Sequence, residues 1–129
     1  MLVSASLVLA TAAQAQSVWG GGTTNFLAVS LGADLKAAVP YYGAAPVTSL
    51  VSDIKAPLLI NYAENDERIN EMWPAFEGAL KTSGVPYEMY KYPGTQHGFH
   101  NNSTPRYHEA SAKLAWERTM AFFKKQLVA

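Results

Sequence analysis

The run "PLLINYA", residues 57–63, restricts the fold more than any other stretch of the chain. It is short, apolar almost throughout, and bounded by Pro57 on one side and the polar "ENDERIN" on the other. A strand with one wet face alternates polar and apolar residues. An unbroken apolar run of this length suits a strand buried on both faces, as in a parallel sheet covered by helices.

The flanking segments supply those helices. Met72, Trp73, Phe76, Ala79 and Leu80 fall at helical spacing between about Ile69 and Lys81, and Ser83-Gly84 closes the pattern. "VPYEMYKYP" then reads as a second strand and "GTQHGFHNNSTPR" as a loop rich in turn formers. From about Tyr107, the residues Ala112, Ala115, Trp116, Thr119, Phe123 and Leu127 form a helical stripe. Upstream, "QSVWGGG" looks like a strand-to-helix turn, and Asn25 to Leu31 reads as a short helix. "LKAAVPYYG" reads as a strand ended by Gly43, with Pro40 straining its ladder. "APVTSLVSDIKA" is a connection with room for one helical turn. The order β-α-β-β-α-β-α predicts an α/β fold with a mostly parallel sheet.

With 129 residues, 49% of them apolar, the chain is expected to form one domain spanning 1–129. The formal net charge is zero and there is no basic stripe, which argues against a nucleic-acid partner. Zero cysteines remove disulfides, thiolate metal sites and a cysteine nucleophile together. The first eighteen residues are atypical: apolar, and without Asp, Glu, Lys or Arg. "MLVSASLVLATAAQA" has the apolar core and the Ala13-Gln14-Ala15 ending of a secretory signal, but no basic residue precedes it. The alternative is a buried strand, "LVSASLVLA". A cytoplasmic protein is expected on the strand reading, and a periplasmic or secreted one if residues 1–15 act as a signal. The run is too short to span a membrane.

Asp66 lies three residues beyond "PLLINYA", and His97 four residues beyond "YEMYKYP", each just past an expected strand. In parallel sheets the groups just beyond the carboxyl ends of strands gather at one edge, where ligands bind. The turn at residues 16–22 belongs at the same edge. An acid that orients a histidine, a histidine that takes a proton from a nucleophile, and amides that hold an oxyanion form a hydrolytic site. The order of nucleophile turn, Asp and His is that of the α/β-hydrolases. Each residue also has a plainer reading. Asp66 could cap the helix that follows, and His97 could be a solvent-exposed loop residue. Trp19, Trp73 and Trp116 read as core aromatics, with Trp19 open to a second role in lining a pocket. Tyr41, Tyr42 and Tyr62 either reach a cleft or pack on a sheet. His97, His100, His108 and Asp66 match no standard zinc-ligand spacing, so neither metal nor cofactor is expected.

The stretches "WGGGTTNFLAV", "LKAAVPYYGAAP", "APLLINYAENDERIN" and "YPGTQHGFHN" resemble the C-terminal half of the dienelactone hydrolase family, from about Trp19 to Leu127. The resemblance implies a truncated α/β-hydrolase core of about four mostly parallel strands flanked by helices. It implies Asp66 as the triad acid and His97 as the base. The family's nucleophile turn reads Gly-x-Cys-x-Gly, which places its cysteine at Val18 and its first glycine at Gln16. Ser17 stands one residue early, so on an ideal strand it faces away from the Val18 side. A shifted turn would bring it round but would put Trp19 where the elbow needs a small residue. The elbow comprises Val18, Trp19 and Gly20, and the Trp19 amide is the candidate oxyanion donor.

The expectation is therefore a hydrolase of carboxylic esters or lactones, of weak or altered activity, with His97, Asp66 and Ser17 (or a water activated by His97) as its chemical groups. The alternative is a catalytically inactive remnant that binds a partner or itself. A homodimer is expected, since a sheet cut in half exposes a strand edge and apolar surface.

Overall fold

The computed structural model describes residues 20–127. Helix α1 (Gly20–Leu31) leads into a 3-10 turn (Gly32–Asp34), an extended segment through residue 42, and a second 3-10 stretch (Thr48–Asp53). Strand β1 (Leu58–Asn65), the short helix α2 (Glu67–Asn70), helix α3 (Trp73–Ser83), strand β2 (Tyr87–Gln96) and helix α4 (Glu109–Leu127) follow.

β1 is central, and its first six residues are buried. On one side it pairs in parallel with β2, Leu58 opposite Tyr87 through Ala63 opposite Tyr92. On the other it meets the segment 38–42, with Ala38 opposite Leu58 and Tyr41 opposite Asn61. Successive side chains of a strand point to opposite faces, and β1 divides its residues between two cores accordingly. Leu58, Ile60 and Tyr62 pack with Ala28, Val51, Ile69, Phe76 and Leu80, beneath α1 and α3. Leu59 and Ala63 pack with Val39, Tyr41, Tyr92, Phe99, Ala115 and Phe123, beneath α4. A nearly continuous apolar run is what such two-sided burial requires, and the buried Asn61 inside it accepts from the Tyr92 hydroxyl with Oδ1 at 2.8 Å.

The expected strand at "LKAAVPYYG" is present only as two separate bridges, and Pro40 gives the reason. The Ala38 amide donates to the Pro57 carbonyl (3.1 Å) and the Tyr42 amide to the Asn61 carbonyl (2.7 Å). The next bond in this parallel pattern would run from the residue-40 amide to Leu59, and proline has no N–H to donate. Its carbonyl still accepts from the Asn61 amide at 3.0 Å. Among the described residues there are thus two continuous strands and one interrupted one, rather than about four; the strand expected near the N-terminus lies outside the described residues.

Other boundaries shift for local reasons. The helix expected from Asn25 already runs from Gly20. The helix expected from about Ile69 is split into α2 and α3 at Glu71-Met72, with Pro74 in the first turn of α3. It closes at Gly84 with φ 70°, a left-handed conformation suited to glycine. β2 extends through "GTQ", which reads as loop in the sequence. Trp116, expected in the core, is 40% exposed.

Candidate active site

Parallel pairing puts the ends of β1 and β2 at one edge of the sheet, and a bulge sets their final register. After Ala63 opposite Tyr92 the ladder slips, and Asn65 pairs with Gln96. The next residue of each strand is Asp66 and His97. The bulge is held by side chains that no spacing rule identifies. Glu64 accepts from the Gly94 amide with Oε2 (2.7 Å), and its own amide donates to Thr95 Oγ1 (3.3 Å). Thr95 Oγ1 in turn donates to the Tyr92 carbonyl at 2.6 Å. Gly94 takes φ 71°, which glycine allows at little cost. Asn70 Nδ2 reaches back from α2 to the carbonyls of Ala63 (2.9 Å) and Glu64 (3.1 Å), fixing the strand end that carries Asp66.

At this edge His97 Nδ1 lies 2.6 Å from Asp66 Oδ2. The side chains are 16% and 9% exposed. Asp66 occupies the N-cap position of α2 but makes no side-chain cap bond, so its carboxylate serves His97 and not the helix. A carboxylate only accepts, so this contact selects the imidazole tautomer that carries its proton on Nδ1 and its lone pair on Nε2. Nε2 is buried and meets no hydrogen-bond partner among the described residues. The loop behind it is anchored by fully buried Phe99, whose amide donates to the Gln96 carbonyl (3.0 Å) and whose carbonyl accepts from the His108 amide (3.0 Å).

A third segment completes the edge. Tyr42 follows the interrupted strand and lays its ring against His97, centroids 4.7 Å apart and planes at 52°. Its hydroxyl is pushed up to about 12 by burial, with the Arg106 charge acting in the other direction. Tyr42 also borders a cleft with Gly22, Thr23, Phe26, Arg68 and Ile69. Tyr41, by contrast, points into the α4 core, where its hydroxyl is 2.6 Å from Thr119 Oγ1, and Tyr62 packs edge-on against Trp73. Of the elbow residues, Gly20 is buried and its carbonyl accepts from Thr24 Oγ1 at 2.8 Å. Ser17, Val18 and Trp19 lie outside the described residues.

The remaining histidines are not drawn in. His108 Nδ1 accepts from the Ser111 amide at 3.3 Å. His100 packs on Tyr41 (4.7 Å) and toward Trp116 (6.1 Å). Among the described residues no group of three or more His, Asp or Glu side chains is arranged to hold a metal ion. Burial lowers the His100 pKa from its ordinary 6.5. The folded state thus favours neutral His100, and the unfolded chain binds the extra proton more readily. That stabilising contribution is complete above about pH 6.5 and is lost as pH falls through the lowered folded value. Thermal melts between pH 7 and pH 5 should therefore show a smaller acid loss for His100→Gln than for the native chain; equal losses would remove His100 from the account.

Parallel strands with helices on both faces, and an acid and a base juxtaposed beyond their carboxyl ends, define an α/β-hydrolase fold. The particular branch follows from comparison with known proteins. The family model "Dienelactone hydrolase family" matches residues 18–127, and the chain belongs to that family. A Salmonella typhi protein named "Putative carboxymethylenebutenolidase" is 34% identical over 117 residues, covering 81% of this chain and 43% of that protein. The crystal structure of a protein named "Putative Dienelactone Hydrolase" from Klebsiella pneumoniae superposes with a TM-score of 0.74 at 32% identity, over 81% of this chain and 48% of that one. A metagenomic dienelactone hydrolase-like promiscuous phosphotriesterase, P91, shares the fold at TM-score 0.72 and 20% identity, over 83% and 48% of the two chains. The chain therefore spans less than half the length of these relatives.

Proposed function

We propose that the protein hydrolyses carboxylic esters or lactones, with His97 as general base and Asp66 as the group that orients it. The observation that carries this reading is the 2.6 Å Asp66–His97 bond together with a buried Nε2 that has no partner among the described residues. Membership of the dienelactone hydrolase family supports it.

The nucleophile is Ser17 or a water beside His97. As its oxygen adds to the substrate carbonyl, its proton passes to Nε2, and the imidazolium formed is stabilised by the Asp66 carboxylate. Collapse of the tetrahedral species expels the alcohol oxygen, which takes the proton back from Nε2. Attack by water releases the acid directly. Attack by Ser17 leaves an ester on its Oγ; a water, giving its proton to Nε2, hydrolyses this ester in a second addition and collapse that returns the proton to Ser17. The Trp19 amide is the candidate donor to the developing oxyanion.

Turnover of p-nitrophenyl acetate and of a γ-lactone by the purified protein tests the reading. His97→Ala is expected to lower kcat/KM by about a thousandfold or more, the usual cost of losing the base of such a site. Native-like turnover in folded His97→Ala would refute the mechanism. Ser17→Ala separates the nucleophiles: loss of activity assigns Ser17, and retained activity assigns water.

A further inference from the structure

Six buried side-chain polar atoms lack a hydrogen-bond partner among the described residues, and two of them belong to rings in contact at the sheet edge. One is His97 Nε2 and the other is the Tyr42 hydroxyl. Buried polar groups are almost always hydrogen-bonded, so two such atoms on rings whose centroids are 4.7 Å apart point to one ligand that meets both. Their chemistry is complementary: the imidazole nitrogen offers a lone pair and the phenol offers a proton. A ligand satisfying both carries an acceptor oxygen next to a donor, which describes an ester or lactone carbonyl under attack by an O–H nucleophile.

Tyr42 is also held in an unusual backbone conformation. It is the only residue other than glycine with positive φ (38°) among the described residues. Such conformations persist where the surroundings enforce them, and they cluster at ligand sites. The enforcement is visible on both sides: the Tyr42 amide donates to the Asn61 carbonyl at 2.7 Å, and the next residue, Gly43, is packed directly on Gly21. The turn aims the ring at His97 and, 5.6 Å away, at Phe99. The hydroxyl, pushed up to about 12 by burial, keeps its proton throughout the neutral range and is a donor there. The cleft that Tyr42 shares with Phe26 and Ile69 gives the apolar part of a ligand a place beside it.

We propose that Tyr42 is the carbonyl-binding residue of this site: its hydroxyl donates to the carbonyl oxygen of the bound ligand, and its ring seats the His97 imidazole against Asp66. This rests on the hydrolytic reading for the identity of the ligand, and its test does not require turnover. The probe is 2-pyrrolidinone, the hydrolysis-resistant lactam isosteric with a five-membered lactone. Its carbonyl can accept from Tyr42 and its N–H can donate to His97 Nε2.

The readouts are the His97 Cε1–H resonance during lactam titration and the exchange rate of the His97 Nδ1 proton. The native protein should give a saturable shift. Tyr42→Phe, which keeps the ring, should weaken lactam binding about tenfold, the cost of one neutral hydrogen bond, with Nδ1 exchange unchanged. Tyr42→Leu should in addition accelerate Nδ1 exchange. No response of the native protein to the lactam, or equal affinity in Tyr42→Phe, would overturn the hydroxyl assignment. Unchanged Nδ1 exchange in folded Tyr42→Leu would overturn the role of the ring. Tyr42-dependent lactam binding without any ester turnover would refute hydrolysis and leave the Tyr42 assignment standing; ester turnover that depends on His97 but not on Tyr42 would do the reverse.

Discussion

Gly21→Ala is expected to unfold the domain under conditions in which the native chain is folded. A Cβ at this position would lie 2.1 Å from the Tyr41 carbonyl oxygen, 2.6 Å from Gly43 Cα and 2.7 Å from Gly43 N. All three are backbone atoms, so no rotamer change relieves the clash. The contact is mutual, because a Cβ at Gly43 would meet the Gly21 carbonyl carbon at 2.2 Å. Helix α1 and the interrupted strand thus cross backbone on backbone, and only glycine fits on either side. Overpacking a core with one methyl group costs typically about 1–3 kcal/mol where side chains can yield. Here the backbone itself must separate, and the cost should exceed that range, against a domain stability of about 5–15 kcal/mol. Gly22 provides the internal control. The nearest atom to its Cβ would be Ala44 N at 3.8 Å, and alanine is the better helix former by about 1 kcal/mol. Gly22→Ala should melt at or above the native temperature while Gly21→Ala melts far below it. Comparable thermal denaturation curves for the two variants would show that the crossing is not this tight in solution.

This contrast also marks where sequence reading stops. The triplet "GGG" announces a turn or a close approach, but nothing in three identical letters separates Gly21 from Gly22. What could be read was periodic or positional. The two-sided burial of β1 follows from a nearly continuous apolar run, and Asp66 and His97 stand out as an acid and a histidine a few residues past two strands expected to be parallel to each other. What could not be read depends on partners distant in the chain. The bulge that brings Asn65 opposite Gln96 is fixed by Glu64, Thr95 and Asn70, each of which looks like an ordinary surface residue in sequence. The helical stripe containing Trp116 gives the direction of its ring relative to its helix, but not whether another element covers it, and it is 40% exposed. Pro40 was legible as a strain on its ladder; that the cost is one missing bond to β1, with the remaining bonds kept, required the register.

Asp66→Asn is expected to lower ester turnover by about 10³–10⁴-fold while leaving the fold intact, because the effect is on the tautomer and not on packing. The carboxylate accepts only, and at 2.6 Å it holds the imidazole proton on Nδ1 and leaves the Nε2 lone pair free. An asparagine of the same shape can present its NH₂ group instead. Donation from that amide to Nδ1 moves the imidazole proton to Nε2, and the atom that must accept a proton then carries one. The amide also cannot stabilise the imidazolium that forms as the nucleophile adds. Neither loss creates a cavity, so the melting temperature should stay close to native while kcat falls. The two residues act as one unit, so the effects should not add: Asp66→Asn in a His97→Ala background should cost almost nothing further, because the group it orients is already gone. Steady-state kinetics on the two single variants and the double variant, with circular dichroism to confirm folding, give the result. A folded Asp66→Asn protein within tenfold of native kcat, or losses that multiply in the double variant, would separate Asp66 from the chemistry of His97 despite their short contact.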